Sequence, residues 1–243
     1  TAYRAGKLRV SPPYFFNIDF WFKPRVKHEL QILRENINAL ADDDMRIFFK
    51  ACFSKTVREA SNTRSREFKL FRIPKRELAK HEPDVYNIFR ANVEKGLTCM
   101  REYYDACERT EWARPQILDE DTCFGTSIPG GSVDLVVTSP PYGDSRTTVA
   151  YGQFSRLSMQ WLDIDGRRAR SVDKRSLGGI RVKSLIHKLS SHTLSETLDK
   201  ISTRDRKRAG DVLSYFIDLN KCLVEIGRLM VPNGKVCIVI GDR

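Results

Sequence analysis

Gly131-Ser132-Val133-Asp134-Leu135-Val136-Val137-Thr138-Ser139-Pro140-Pro141-Tyr142-Gly143-Asp144 joins two kinds of backbone. Val133 to Val137 is short, apolar and rich in β-branched side chains, the pattern of a buried strand. Thr138 to Tyr142 is a stiff turn, because two prolines fix φ and remove two backbone donors. The residue before each proline is pushed out of the helical region. A hydroxyl, a bare carbonyl and an aromatic ring are therefore expected at the carboxyl end of a strand, where open α/β sheets bind ligands.

Thr138-Ser139-Pro140-Pro141-Tyr142 behind an Asp-Leu-Val-Val strand resembles the catalytic motif of the amino-group DNA methyltransferases. Members of that family methylate the exocyclic amine of cytosine (N4) or adenine (N6) from S-adenosylmethionine. The Ser-Pro-Pro-Tyr form is more typical of the N4-cytosine enzymes and Asp-Pro-Pro-Tyr of the N6-adenine ones. A second copy, Ser11-Pro12-Pro13-Tyr14, follows Lys7-Leu8-Arg9-Val10, which is no buried strand, and reads as an extended segment.

The resemblance implies a catalytic set of Ser139, Pro140, Pro141 and Tyr142. The chemistry agrees with it. An exocyclic amine is a poor nucleophile because its lone pair is delocalised into the ring. Acceptors against its N–H groups, Ser139 Oγ and the Pro140 carbonyl, raise its electron density and aim the lone pair. Tyr142 stacks on a base that has left the duplex. Positioning and charge placement supply most of such a reaction, and no covalent nucleophile is needed. Methylation at cytosine C5 uses a cysteine, which in that family follows a proline, and none of the ten prolines here precedes a cysteine.

The composition fits a polyanionic partner. The 243 residues carry a formal net charge of +11, with 41% hydrophobic and 30% charged residues. That balance describes a globular chain with room for one large α/β domain, and nucleic acid is the default partner of such a surplus. Six cysteines, Cys52, Cys99, Cys107, Cys123, Cys222 and Cys237, show no metal-ligand spacing, and they read as reduced, mostly buried thiols. No metal centre is expected. No apolar run approaches the ~18 residues of a membrane span, and a cytoplasmic, nucleoid-associated protein is expected.

Residues 1–24 are basic and then aromatic, with Tyr14, Phe15, Phe16, Phe20, Trp21 and Phe22 expected to pack on a core. Val26–Ala41 and Met45–Ala60 read as amphipathic helices, with Asp42-Asp43-Asp44 breaking the first and capping the second. Ser61–Ile73 is basic, and Arg64, Arg66 and Lys69 are candidate phosphate contacts. One long helix is expected from Asp84 to about Trp112, with Val85, Ile88, Phe89, Val93, Leu97 and Met100 on its apolar stripe. Pro115–Leu118 reads as a short strand before Asp119-Glu120-Asp121. The family resemblance places Asp121 near the cofactor adenine, with Thr138 as the second cofactor candidate.

Beyond the turn, Arg146 lies in a polar loop and is a candidate DNA contact. A helix is expected over Val149–Leu162. From Asp165 to Arg208 Lys and Arg outnumber Asp and Glu, with Arg167, Arg168, Arg170, Lys174 and Arg175 clustered before Gly178-Gly179. These five are candidate DNA contacts in an inserted, DNA-facing target-recognition element. Asp211–Leu229 then reads as a helix, Met230–Gly234 as a turn and Lys235–Ile240 as a second buried strand, the order found after the motif in Rossmann-like methyltransferases.

The expected architecture is α/β: a Rossmann-like methyltransferase sheet with helices on both faces. A mostly helical region, 1–114, packs on a catalytic core of 115–162 and 211–243, with a basic insertion at 163–210. The resemblance implies a site-specific, S-adenosylmethionine-dependent transferase of the restriction–modification type. Its partner would be double-stranded DNA, with a companion restriction endonuclease or a second methyltransferase piece. N4-cytosine is favoured over N6-adenine by Ser139 alone. The family's Phe-x-Gly-x-Gly cofactor loop has no counterpart; Phe124-Gly125-Thr126 is the nearest sequence and follows the acidic turn, where that loop does not belong. The loop is expected to lie outside these residues, and a non-catalytic or split DNA-binding subunit stays open as an alternative.

Overall fold

The computed structural model describes residues 12–64, 67, 69–108, 114–141, 151–164 and 166–240, with the backbone alone at 151 and 166–170. They form two compact units.

The first unit is helical. It contains α1 (Ile18–Trp21), α2 (Pro24–Asn38), α3 (Asp43–Ala60), α4 (Lys75–Leu78), α5 (Val85–Glu108) and, after the strand described below, α6 (Tyr151–Trp161). Pro24 sits in the first turn of α2, where a missing N–H costs nothing. Asp42 caps α3 as expected, its carboxylate accepting the Met45 N–H at 2.8 Å. The core joins Phe22, Val26, Leu30, Phe53, Val57, Val85, Leu157 and Trp161. The aromatic N-terminal segment packs here in part: the Phe22 ring meets Trp161 edge-on at 5.5 Å, and Phe15 meets it at 6.5 Å. Tyr14 and Phe16 remain exposed.

The apolar stripe of α5 is covered over only part of its length. Val85 is buried, but Leu97 and Met100 are exposed, because the far half of the helix has no partner among the described residues.

The second unit holds β1 (Val133–Thr138), the end of the basic helix α7 (Gly166–Arg175), α8 (His192–Ser202), α9 (Arg206–Leu229) and β2 (Met230–Ile238). β1 and β2 pair in parallel, with Leu135, Val136, Val137 and Thr138 opposite Lys235, Val236, Cys237 and Ile238. The chain is thus a mixed helix and strand protein with a small parallel sheet. The expected turn at Met230–Gly234 falls inside β2. Met230 already pairs with Val133, and the strand detours through Asn233, in the left-handed region at φ 65°, before register resumes at Lys235.

Two expectations are corrected. β1 and β2 are not buried: Leu135, Val137, Val236 and Ile238 are all exposed, because no helix covers either face among the described residues. Pro115–Leu118 forms no strand, and Ile117 is 96% exposed, since no described strand lies alongside to pair with it. The basic stretch carries helices of its own. Leu194 and Leu198 of α8 form a second core with Ala209 and Leu213 of α9, with Val182, Leu185 and Leu189 packed against it. Helix α9 starts at Arg206, five residues before the expected Asp211, because Asp205 accepts the Lys207 and Arg208 N–H groups and caps it there.

Two substitutions test this packing in urea unfolding. Phe53→Ala, at a fully buried site, should cost about 3–5 kcal/mol. Asp42→Ala, which removes a cap and no core volume, should cost about 1 kcal/mol.

Candidate functional site

The turn after β1 is held from two directions. The Val239 N–H donates to the Thr138 carbonyl at 2.9 Å, and Ser139 Oγ donates to the Val239 carbonyl at 3.1 Å. Parallel pairing is thereby carried one residue past the strand end. Ser139 spends its proton on Val239, so its oxygen keeps acceptor capacity toward the exposed side. The second anchor comes from α9: Tyr215 Oη donates to the Pro141 carbonyl at 2.6 Å. Tyr215 is 6% exposed, and burial pushes its hydroxyl pKa up, with Cys222 adding to the shift, so the group stays protonated and donating at neutral pH. The Pro140 carbonyl has no partner among the described residues. Tyr142 and Arg146 lie outside them.

The loop leading into β1 is clamped to the same helix. Glu225, 9% exposed, accepts both the N–H and the hydroxyl of Thr126 at 2.8 Å on one carboxylate oxygen. Arg228 Nε donates to its other oxygen at 2.8 Å, and Arg228 Nη2 donates to the Ile128 carbonyl at 2.9 Å. The Arg228 and Leu229 carbonyls accept the N–H groups of Gly131 and Ser132. Gly131, at φ 63°, makes the left-handed bend that admits this pairing. Arg228, then Thr126, hold the Glu225 carboxyl down to about 2.

Asp121 has a local role. Its carboxylate accepts the Cys123 N–H at 3.1 Å, and its carbonyl accepts the Phe124 N–H, so it closes the acidic turn. Cys123 and Cys222 place their sulfurs 3.2 Å apart as free thiols. Burial, then Cys222, pushes the Cys123 thiol up to about 12. Of the six cysteines only Cys52 is buried; Cys99 and Cys237 lie exposed on α5 and β2, which corrects the expectation of mostly buried thiols. No three metal-ligating side chains converge among the described residues. No described helix is long and apolar enough to cross a membrane.

The candidate nucleic-acid contacts divide between the two units. Arg64 is exposed in the first, on a cavity of about 1090 Å³ that Lys55, Arg58, Lys80 and His81 also line. Its N–H donates to the Phe71 carbonyl at 2.8 Å, beside a Thr63–Arg72 bridge. Arg58 closes the segment: its guanidinium donates to the Glu67 and Lys69 carbonyls and to that of Phe154. Lys69 is half-buried here, and Arg66 lies outside the described residues. In the second unit, Lys174 and Arg175 are exposed at the end of α7. Arg167, Arg168 and Arg170 belong to the backbone of the same helix. Arg181 is engaged with Asp211 through two bonds of 2.7 and 2.8 Å.

Sequence reasoning missed Tyr215, Glu225 and Arg228. Helical spacing assigned Leu213, Phe216 and Leu223 to the apolar face of α9 and treated the polar positions between them as surface. The one available signal was Glu225 three residues before Arg228 on a single helix face.

Comparison with known proteins adds one likeness. The chain is 38% identical over 253 aligned residues to the Type II methyltransferase M.MvaI of Kocuria varians, an alignment covering 99% of this chain and 56% of that protein. The chain therefore spans about half the length of the curated relative it matches. No family model matches the chain, and no solved structure matches it.

Because the Glu225 pKa is lowered from its ordinary 4.5 to about 2, its stabilisation is complete above 4.5 and is lost as pH falls through 2. Glu225→Gln should lower the thermal midpoint at pH 7. The gap from wild type should close as the pH falls from about 4.5 toward 2, as circular dichroism would read it; a gap that does not change with pH would contradict the clamp.

Proposed function

We propose that this chain carries the catalytic turn of a DNA methyltransferase that acts on an exocyclic amine. Within that class we assign it to the N4-cytosine enzymes of the restriction–modification type. The observation that carries the reading is the turn itself. Thr138-Ser139-Pro140-Pro141 sits at the carboxyl end of a parallel strand, with Ser139 Oγ and the Pro140 carbonyl available as acceptors. The likeness to M.MvaI along nearly the whole chain supports it. Ser139 at the first position of the motif favours cytosine over adenine.

In this reading Ser139 Oγ and the Pro140 carbonyl accept the two N–H groups of the target amine and turn its lone pair outward. Val239 and Tyr215 hold the acceptors still, so little reorganisation is left for the reacting complex. Tyr142 stacks on the flipped base. S-adenosylmethionine, when bound, supplies a methyl group already activated by its sulfonium. Thr138 at the strand end and Asp121, whose carboxylate also accepts the Cys123 N–H, are the residues this reading assigns to hold it. The glycine-rich cradle is absent from this sequence, and the reading assigns it to polypeptide outside residues 1–243. The exposed apolar faces of β1 and β2 and the 56% coverage of M.MvaI are in keeping with that assignment. Double-stranded DNA is the substrate, gripped at its phosphates by Arg64 and Lys69 and by the Arg167, Arg168, Arg170, Lys174 and Arg175 helix, with Arg66 and Arg146 as further contacts. Such a protein acts in the cytoplasm beside a companion endonuclease.

The deciding assay is transfer of labelled methyl from S-adenosylmethionine to unmethylated DNA, followed by nucleoside chromatography. Label in N4-methylcytosine is expected. Ser139→Ala should reduce it about 100-fold, and Tyr142→Ala should abolish it. Label in N6-methyladenine would keep the mechanism and overturn the base, and no label even with the longer gene product would sink the reading.

DNA binding is tested separately by salt titration. Neutralising Arg167, Arg168, Arg170, Lys174 and Arg175 together should weaken binding and flatten log K against log salt by roughly 0.9 for each phosphate no longer neutralised. Unchanged affinity and slope would remove α7 from the interface.

A further inference from the structure

We propose that Tyr215 is a positioning residue for the Ser139–Pro141 turn, and that Gly178, at the end of the basic segment, is the seat that fixes it. The inference rests on the methyltransferase reading for its consequence and on geometry for its content.

The contact is a single directed bond. Pro141 has no N–H and a fixed φ, so its carbonyl is the remaining handle by which the surroundings can grip it. Tyr215 Oη takes that handle at 2.6 Å from a largely buried ring. The plane of the Pro141 carbonyl also contains the amide nitrogen of the next residue. The bond therefore orients the peptide to which Tyr142, the candidate stacking ring, is attached. It also braces Pro140, whose carbonyl is the second candidate acceptor.

Tyr215 is braced in turn. Gly178 lies against its backbone in the left-handed region, φ 69°, and a Cβ there would stand 3.0 Å from Tyr215 Cα, Cβ and N. The Gly178 N–H donates to Asp218 Oδ2 at 3.1 Å, and the Gly178 carbonyl accepts Ser214 Oγ at 3.4 Å. Both partners are on α9, on either side of Tyr215. Gly178 lies three residues past the end of α7, whose last turn carries Lys174 and Arg175. Gly178 thus abuts Tyr215 at its backbone, and the catalytic turn takes its hydroxyl. Glycine suits this position twice over: its φ of 69° strains other residues, and a Cβ there would press on Tyr215 at 3.0 Å.

The test is Tyr215→Phe in the full chain, which keeps the ring and removes one donor. Protein labelled with ¹³C at proline carbonyls gives a direct reading of the bond, with Pro141 assigned by Pro141→Ala. The Pro141 resonance should move upfield on losing its donor. kcat should fall about tenfold to hundredfold, with dissociation constants for DNA and S-adenosylmethionine and the thermal midpoint little changed. Gly178→Ala should displace the same resonance while leaving the hydroxyl in place. An unmoved Pro141 resonance overturns the proposal, and so does a moved resonance with kcat within twofold of wild type. If the wild-type longer gene product, in which kcat is measured, transfers no methyl group, the methyltransferase reading fails instead, and the Pro141 resonance alone decides whether Tyr215 holds the turn.

Discussion

The candidate site depends on the parallel pairing of Val133–Thr138 with the Lys235–Ile238 half of β2. A proline-rich turn cannot hold itself in register, because each proline deletes a donor that a strand would use. Here the register is imposed from the neighbouring strand. Leu135 to Thr138 run opposite Lys235 to Ile238, and the next bonds, Val239 N–H to Thr138 and Ser139 Oγ to Val239, extend the ladder into the turn. If β2 slipped by one residue, Ser139 would lose its partner and every side chain of the strand would change face.

Helix α9 sets that register. It leads straight into β2, Met230 following Leu229 without a linker. The same helix grips both ends of the β1 segment: Glu225 and Arg228 clamp the entering loop at Thr126 and Ile128, and Tyr215 takes the leaving turn at Pro141. The helix is therefore a splint laid along the strand rather than a cover for the sheet. That accounts for its mixed character. Leu213 is buried, Phe216 and Leu223 are partly exposed, and several of its polar side chains are engaged in tertiary bonds.

The periodic elements were legible in the sequence. The helices now seen at Pro24–Asn38, Asp43–Ala60, Val85–Glu108 and Arg206–Leu229, and the strand at Val133–Thr138, follow from spacing, from Asp42 as a cap and from the Thr-Ser-Pro-Pro stop. What spacing could not supply was cover. An apolar run such as Val133–Val137 signals that a strand is made to be buried, not that a helix in the same 243 residues buries it. Pro115–Leu118 failed for a related reason, because a strand is a property of a pair and no described neighbour pairs with it. In the basic stretch Leu185, Leu189, Leu194 and Leu198 are too sparse to announce a core, yet they converge on Ala209 and Leu213. At the site, the turn could be found from local stiffness. Tyr215 could not, since its role is set by a bond 74 positions away in sequence.

That separation has a consequence for how the basic segment works. A loop that only supplied positive charge would tolerate almost any backbone, since phosphate contacts carry no information about shape beyond distance. Residues 171–210 are built to a tighter standard. Arg181, whose charge a flexible surface would leave to solvent, is held by Asp211 in a bidentate pair. Gly178 adopts a conformation that most residues avoid, in contact with Tyr215. Both features tie residues 178–181 to α9, and α9 holds the turn at Pro141. On the proposed reading, a hold of that kind on the turn serves placement of the target base, which matters more than affinity when the nucleophile is an amine whose lone pair has to be aimed.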